Sequence, residues 1–368
     1  MLTEIERIED GRFFLPGPTE VHTDVLAAQA QPMIGHRGPD IEALMGGLEE
    51  GLELLFATKR PVIVSTSSAT GLMEAAVRNG VRNGQVLSLV DGAFSARFAE
   101  IAQTCGYDVE IWEVEWGNVH SPEELDQRLS SGGFDAVTLS QSETSTGALQ
   151  DLEALAEVVR SYPDTLLLVD SVTGVGGVET RPDEWGVDFI LTGSQKAMAL
   201  PPGLSFGVAS EAMLERSAVA PAKGWYFDLD RLLVQLSAHQ TPATPAISLL
   251  YALDVQLQRV IEEGMDRRLQ RHLEMQARTL EWVEEMQAKG VGIEVFAVEG
   301  HRSPTVTCLS VADGMRPRDI VAGARARGWV MGGGYGKIAD STVRIGHMGD
   351  HTVDELNGLL DVLADVMT

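Results

Sequence analysis

The sequence predicts an α/β fold, with a mostly parallel sheet in a large domain followed by a smaller α+β domain. Three observations carry this prediction. Short apolar runs alternate with helical periods from about residue 60 to residue 210. Most of these runs are continuously apolar, as strands buried on both faces require. After residue 245 the pattern lengthens into a long helical period, then shortens into strand and helix in turn. At 44% hydrophobic and 22% charged over 368 residues, the chain can bury a large core, which excludes a disordered protein.

The predicted strands come in order as Val62–Val64, Val86–Val90, Val109–Val114, Ala136–Leu139, Leu166–Val169, Phe189–Leu191 and Leu204–Val208. Between two of them, Leu152, Leu155, Ala156 and Val159 mark a helical face. Ile247, Leu250, Leu253, Leu257 and Ile261 begin the long helical run, and Leu269, Leu273, Leu280 and Val283 carry it on to Gly290. Gly264 stands where that run can break. A helix of this length suits a bridge between domains. A strand over Val306–Val311, a helix over Pro317–Arg327, a strand over Thr342–Ile345 and a last helix through Val353, Leu356, Leu359, Leu363 and Val366 complete the reading. The glycine-rich segment Met331–Lys337 reads as a flexible loop ahead of the strand that holds Arg344, lining the substrate entrance. The expected division is residues 15–260 and 261–368, with residues 1–14 packing near the second part. No Pro/Gly/Ser-rich linker separates the two, so firm packing is expected.

The formal net charge is −26. A phosphate backbone needs Lys and Arg to displace its counterions, so nucleic acid is excluded as a partner. An anionic membrane surface is excluded on the same ground. The acidity suits either a high-salt cytoplasm or an ordinary acidic enzyme. Cys105 and Cys308 are the only cysteines and form no CxxC pair, which points to a reducing cytoplasm. Residues 1–6 lack the basic and apolar regions of a signal peptide, and no window approaches the roughly 18 apolar residues of a membrane span.

Four segments carry chemistry. Asp188–Ala197 runs from an apolar strand into a small polar turn ending at Lys196, the sole lysine between Thr180 and Val219. A desolvated lysine loses its proton readily and bonds carbonyl carbon; otherwise it simply ends a strand. Leu166–Asp170 is a strand ending in a carboxylate, and ligands of open α/β sheets bind outside the carboxyl ends of strands. There Asp170 either holds a pyridinium nitrogen protonated or caps the next element. Val64–Gly71, leading into a helix at Leu72, pairs a small-residue turn with a helix N-terminus, which is an anion site or a plain Ser/Thr cap. Arg344 lies between apolar neighbours, and a buried arginine needs an anion. That anion is a substrate carboxylate or a structural partner such as Asp340 or Asp350. His347, Asp350 and His351 would suit a metal only on a helix, which Gly346 and Gly349 oppose, so no metal is predicted.

Together these segments resemble the class V aminotransferases of the fold-type I pyridoxal-phosphate enzymes, in particular the alanine–glyoxylate and serine–glyoxylate (serine–pyruvate) branch. The most specific stretches are Gly193-Ser194-Gln195-Lys196-Ala197 with Pro201-Pro202-Gly203, and Ser142-Glu143-Thr144-Ser145-Thr146-Gly147. The resemblance extends from Leu15–Thr19 to Val343–Gly346. It implies that Lys196 bonds the cofactor and shuttles a proton, and that Asp170 holds the ring nitrogen. It places Val172 on one ring face and Phe94, where tryptophan is frequent, on the other. Ser68, Ala69 and Thr70 match the phosphate turn, with alanine where glycine is common, and Gln195 is a further phosphate ligand. Thr144 matches the residue near the ring hydroxyl, Arg344 the substrate-carboxylate arginine, and Gly17 a backbone contact beside that carboxylate. In the segment His239–Pro245, Thr244 is favoured over Gln240 as the residue reaching the neighbouring subunit's phosphate. Arg37, in Gly35-His36-Arg37, lies either near the active-site mouth or on an exposed loop.

The resemblance therefore implies a cytoplasmic homodimer with shared active sites. Its reaction would be ping-pong transamination of alanine or serine with glyoxylate or pyruvate. Three alternatives stay open. An aminotransferase for 2-aminoethylphosphonate, phosphoserine or aspartate would need further cations, which Arg37 or Lys337 could supply. A lyase or cysteine desulfurase would need a thiol on a mobile loop, whereas Cys105 ends a helix pattern and Cys308 lies in a strand pattern. A non-catalytic binding protein would have had no need to keep Lys196, Asp170 and Arg344.

Overall fold

The computed structural model describes residue 9 and residues 11–82, 84–221 and 223–368; the readings of residues 1–6, and most of segment 1–10, lie outside these. In chain order the strands are β1 (Phe13–Phe14), β2 (Val62–Ser65), β3 (Gln85–Val90), β4 (Asp108–Glu113), β5 (Phe134–Ser140), β6 (Ser142–Glu143), β7 (Ala148–Leu149), β8 (Leu166–Asp170), β9 (Phe189–Gly193), β10 (Ser205–Ala209), β11 (Ile293–Val295), β12 (Thr307–Val311), β13 (Val330–Gly333) and β14 (Thr342–Ile345). Seven form one sheet in the order β2-β10-β9-β8-β5-β3-β4. Its pairs from β9 across to β4 are parallel, while β10 runs antiparallel to both β9 and β2.

The continuous apolar runs have a direct structural cause. In β8, Leu167 and Val169 enter the core on one face of the sheet, and Leu166 and Leu168 enter the core on the other. Successive side chains point to opposite faces, and here both faces are covered by helices, so no position in the strand tolerates a polar residue until its end. Helix Leu152–Arg160 covers the first face with Leu155 and Val159; helices Ala69–Gly80 and Ala93–Thr104 cover the second with Leu72, Ala76 and Phe98. Each such side chain withdrawn from water contributes roughly 1.5–3 kcal/mol.

The long helical run is two helices, Ile247–Glu263 and Met265–Ala288, divided at Gly264 with φ +79°. Only glycine takes that conformation without strain. The second helix packs on a five-stranded sheet ordered β1-β13-β14-β12-β11, with Met275, Trp282, Leu309, Val343, Ile345, Leu356 and Leu360 in its core.

One expectation is corrected here. Met331–Gly333 is not a flexible loop but lies in β13, held between β1 and β14, with Phe14 opposite Met331 and Arg344 opposite Gly332. Pairing on both edges offsets the conformational freedom of the glycines. At Gly332 a Cβ would fall 2.7 Å from the Pro16 ring, so close passage of the Leu15–Pro16 segment needs the bare backbone. Only the stretch from Gly334 to Lys337 lies outside the strand. Among the described residues, no helix is long and apolar enough to cross a membrane.

Candidate active site

Parallel packing brings the carboxyl ends of β5, β8 and β9 to one rim. Ser140 and Asp170 end β5 and β8 side by side, and Lys196 follows three residues after β9. Asp170 is buried; it accepts hydrogen bonds from the Val172 amide at 2.9 Å and the Ser140 hydroxyl at 3.1 Å. Burial raises its carboxyl to about 6 against the pull of those two donors. A cationic ring nitrogen at this carboxylate would stabilise the ionised form.

Lys196 is 7% exposed. Its Nζ donates to the Pro16 carbonyl. Burial, and next the charge of Arg344, lower its ammonium to about 7. The loop carrying Pro16 is fastened by the Thr19 amide, which donates to the Gln195 carbonyl at 2.9 Å. Gly17 has φ +103°, and a Cβ there would fall 2.5 Å from Lys196 Cδ and Cε. Any side chain at residue 17 would therefore displace the lysine, which sets Gly17 in the site by geometry.

Helix Ala69–Gly80 begins at the end of β2. Ser68 occupies its N-cap position, yet the Ser68 side chain makes no cap hydrogen bond. The plain capping role considered for this turn is therefore not the one taken. Ser68 and Thr70 are exposed, Ala69 is buried against Gly193, and Gln195 is half-buried two residues beyond Gly193. Amide groups at a helix start, two free hydroxyls and an amide side chain suit a phosphate group.

Phe94 lies in the first turn of helix Ala93–Thr104. The fully buried Glu143 caps that helix, accepting from the Phe94 and Ser95 amides at 3.0 and 2.9 Å and from Ser145 at 3.0 Å. The Phe94 ring centre is 5.6 Å from Lys196 Nζ and stacks at 5.3 Å on Tyr335. Val172 follows Asp170 and is half-buried. The Thr144 hydroxyl pairs with that of Thr173.

Arg344 reaches the rim from β14. Its Nε donates to the Gly333 carbonyl at 2.8 Å and Nη1 to the Thr144 carbonyl at 3.1 Å, and its guanidinium lies 5.4 Å from the Tyr335 ring centre. It forms no ion pair among the described residues. The two carboxylates considered as its structural partners are elsewhere: Asp350 is paired with Arg268 at 3.0 Å and Arg259 at 3.3 Å, and Asp340 is exposed. An anchored cation outside any ion pair, beside a lysine and a carboxyl, suits an anionic ligand.

Other predicted residues lie apart. Thr244 is exposed and sits in the segment beside Thr66, whose hydroxyl accepts from the Ala246 amide. Gln240 donates to Glu42 at 2.8 Å. Arg37 is exposed and donates to the His36 and Pro242 carbonyls at 2.7 and 3.4 Å. Lys337 pairs with Glu113 at 2.8 Å. His347 bonds Thr307, and His351 bonds the Phe13 carbonyl. Cys308 is buried in β12 with its thiol pushed up to about 12, and Cys105 caps the end of a helix, so neither has the setting of a loop nucleophile. Three neighbours escaped the sequence reading: Glu143 as a helix-capping carboxylate, Tyr335 as a stacking partner, and Arg97. Only Arg97 left a trace, at three residues beyond Phe94, the spacing of neighbours on a helix face.

The family described as aminotransferase class-V matches residues 20–334. Serine–glyoxylate aminotransferase of Arabidopsis thaliana is 33% identical over 96% of this chain and 88% of its own. L-aspartate–glyoxylate aminotransferase of Paracoccus denitrificans is 30% identical over 92% of this chain and 86% of its own. The crystal structure of alanine–glyoxylate aminotransferase from Nostoc sp. superposes with a TM-score of 0.92, at 31% identity, covering 100% of this chain and 98% of that one.

Proposed function

The chain belongs to the class-V aminotransferases, and from that premise we propose that it exchanges an amino group between a small amino acid, alanine or serine, and a 2-oxo acid, glyoxylate or pyruvate, using pyridoxal 5'-phosphate. The observation that carries this reading is the uncompensated Arg344 set beside a lysine of lowered pKa. The acceptor is inferred from the three relatives described above, whose names share glyoxylate while their donors differ.

The residues present fit the cofactor. The uncapped helix start with Ser68, Ala69 and Thr70, and Gln195 nearby, suits the phosphate, and Asp170 with its raised pKa suits a ring nitrogen. When bound, the cofactor supplies the electron sink for the donor's Cα–H electrons. The chain's own residues do the rest. Lys196, half neutral near pH 7, takes the proton from the donor Cα and returns it. Asp170 would keep a proton on the ring nitrogen, Phe94 and Val172 would border the ring faces, and Thr144 would lie by the ring hydroxyl. Arg344 binds the α-carboxylate with Gly17 beside it, and its planar fork serves donor and acceptor alike.

The same reading takes residues 15–260 as the cofactor-binding domain and 261–368 as the smaller domain that carries Arg344. It takes the protein as a homodimer, with Thr244 serving the partner's phosphate. The support is three exposed apolar side chains: Met33, close in sequence to Arg37; Trp225; and Tyr226, which lines a cavity together with Thr244. Two free thiols suit the cytoplasm.

The test is a panel of amino acids against 2-oxo acids, joined to borohydride reduction and peptide mapping. The expected result is a yellow protein that transfers amino groups to glyoxylate and carries the reduced cofactor on Lys196. A colourless protein that takes up no pyridoxal phosphate, or a label on another lysine, overturns the reading.

A further inference from the structure

We propose that Arg97 gives this site a second anionic anchor, so that it takes a dicarboxylic amino acid as donor in addition to alanine or serine. The inference rests on the aminotransferase reading of the same site and adds the substrate class.

Arg97 lies on helix Ala93–Thr104, one turn beyond Phe94, and is half-buried. Its guanidinium carbon is 4.9 Å from the Phe94 ring centre, and Nη2 donates to the Tyr335 hydroxyl at 3.1 Å. Arg344 lies 5.4 Å from the ring centre of that same Tyr335, and Lys196 Nζ is 5.6 Å from that of Phe94. Two guanidiniums and the reacting amine thus converge on one stacked pair of rings. Neither arginine forms an ion pair among the described residues, although the chain carries 54 acidic and 28 basic residues. With acids in such excess, two neighbouring arginines outside any ion pair mark a place kept for anions from solution.

One α-carboxylate accounts for Arg344. It leaves Arg97 unexplained, because the neutral Tyr335 hydroxyl occupies only one of the five N–H groups a guanidinium offers. A donor with a second carboxylate accounts for both. The other cations considered for such a role are engaged or remote: Lys337 pairs with Glu113, and Arg37 rests on the Pro242 carbonyl. The reaction balances as for the smaller donors. The amino group of aspartate or glutamate passes to glyoxylate, giving glycine, and the donor leaves as its 2-oxo diacid.

The test compares wild-type holoenzyme with Arg97→Gln and Arg97→Lys. The wild type is expected to use aspartate or glutamate as well as alanine. Arg97→Gln should lower the ratio of kcat/KM for the diacid over alanine by about 10- to 100-fold, mainly through KM, and Arg97→Lys by less. A second readout needs no turnover: thermal-shift titration with succinate and with propionate, which carry two and one carboxylates. Succinate should bind the wild type more tightly, and Arg97→Gln should remove that difference. Equal loss for diacid and alanine, or a wild type indifferent to the second carboxylate in both assays, overturns the proposal. If the wild type transfers no amino group but prefers succinate through Arg97, the anchor stands and the aminotransferase reading falls.

Discussion

Arg268 and Arg344 are both buried where the two cores approach each other, at 1% and 8% exposure, and they are held in opposite ways. Arg268, on helix Met265–Ala288, pairs with Glu263 at 2.8 Å and Asp350 at 3.0 Å and donates to the carbonyls of Ala197 and Gly176 at 2.7 and 3.1 Å. Its charge is neutralised and its donors are spent on the fold. Arg344 receives two carbonyl oxygens and no carboxylate. A buried cation is costly unless paired, so a chain that leaves one unpaired gains something other than stability. The contrast sets an arginine spent on the fold apart from one left able to bind an anion.

The largest expected effect tests that contrast through stability. Arg268→Met leaves the half-buried Glu263 and Asp350 with only Arg271 and Arg259, strips the Ala197 and Gly176 carbonyls of their donor, and should cost about 3–5 kcal/mol in urea unfolding of the cofactor-free protein. Arg344→Met removes a charge that no ion pair neutralises, and should change stability by no more than about 1 kcal/mol, since lost carbonyl hydrogen bonds and relieved desolvation offset each other. If the Arg344 variant loses as much as the Arg268 variant, Arg344 belongs to the fold and the contrast collapses.

The second effect appears in kinetics. Arg344→Lys keeps a cation but loses the planar fork. It should lower kcat/KM for both donor and oxo acid by roughly 30- to 1000-fold, or about 2–4 kcal/mol, with the unfolding midpoint unchanged. Wild-type kcat/KM toward both substrates would move the carboxylate anchor elsewhere, with Arg37 the next residue to vary.

How much of this was legible in the sequence follows from what each feature imposes on residue order. Leu166–Asp170 is readable because a strand covered on both faces must be apolar until its last residue, where the carboxylate meets the ligand rim. Gly264 is readable because a positive φ inside a helical period admits little else. Met331–Gly333 is not: its order comes from two neighbouring strands, and glycine leaves no pattern of side chains to announce a pairing. The two-residue β1 is too short to show any period. Within the site, Lys196, Asp170 and Arg344 stand out as charges set in apolar runs. The Arg97–Tyr335 contact joins residues 238 positions apart, so only the folded arrangement brings it to view. The pairing of Asp350 with Arg268 rather than Arg344 is of the same kind.

The smallest effect asks whether the unpaired charge of Arg344 is felt by Lys196. Below pH 7 the buried amine is an ammonium and has no lone pair to attack an aldehyde carbon. Above about 7 it is neutral, far below the range of an exposed lysine, because burial and the adjacent guanidinium both disfavour the cation. The rate at which cofactor-free protein takes up pyridoxal phosphate should therefore rise through about pH 7 and then level off. Arg344→Gln removes the neighbouring positive charge, so the ammonium becomes easier to keep and the limb moves to higher pH, by roughly half a unit to one unit. Arg268→Lys, which keeps a cation at a position already neutralised by Glu263 and Asp350, should leave the limb in place. Comparing each variant with the wild type cancels the cofactor's own titration. A limb near pH 10 in the wild type would mean that Lys196 is solvated when the protein is free of cofactor, and a limb unmoved by Arg344→Gln would mean that burial alone sets its proton affinity.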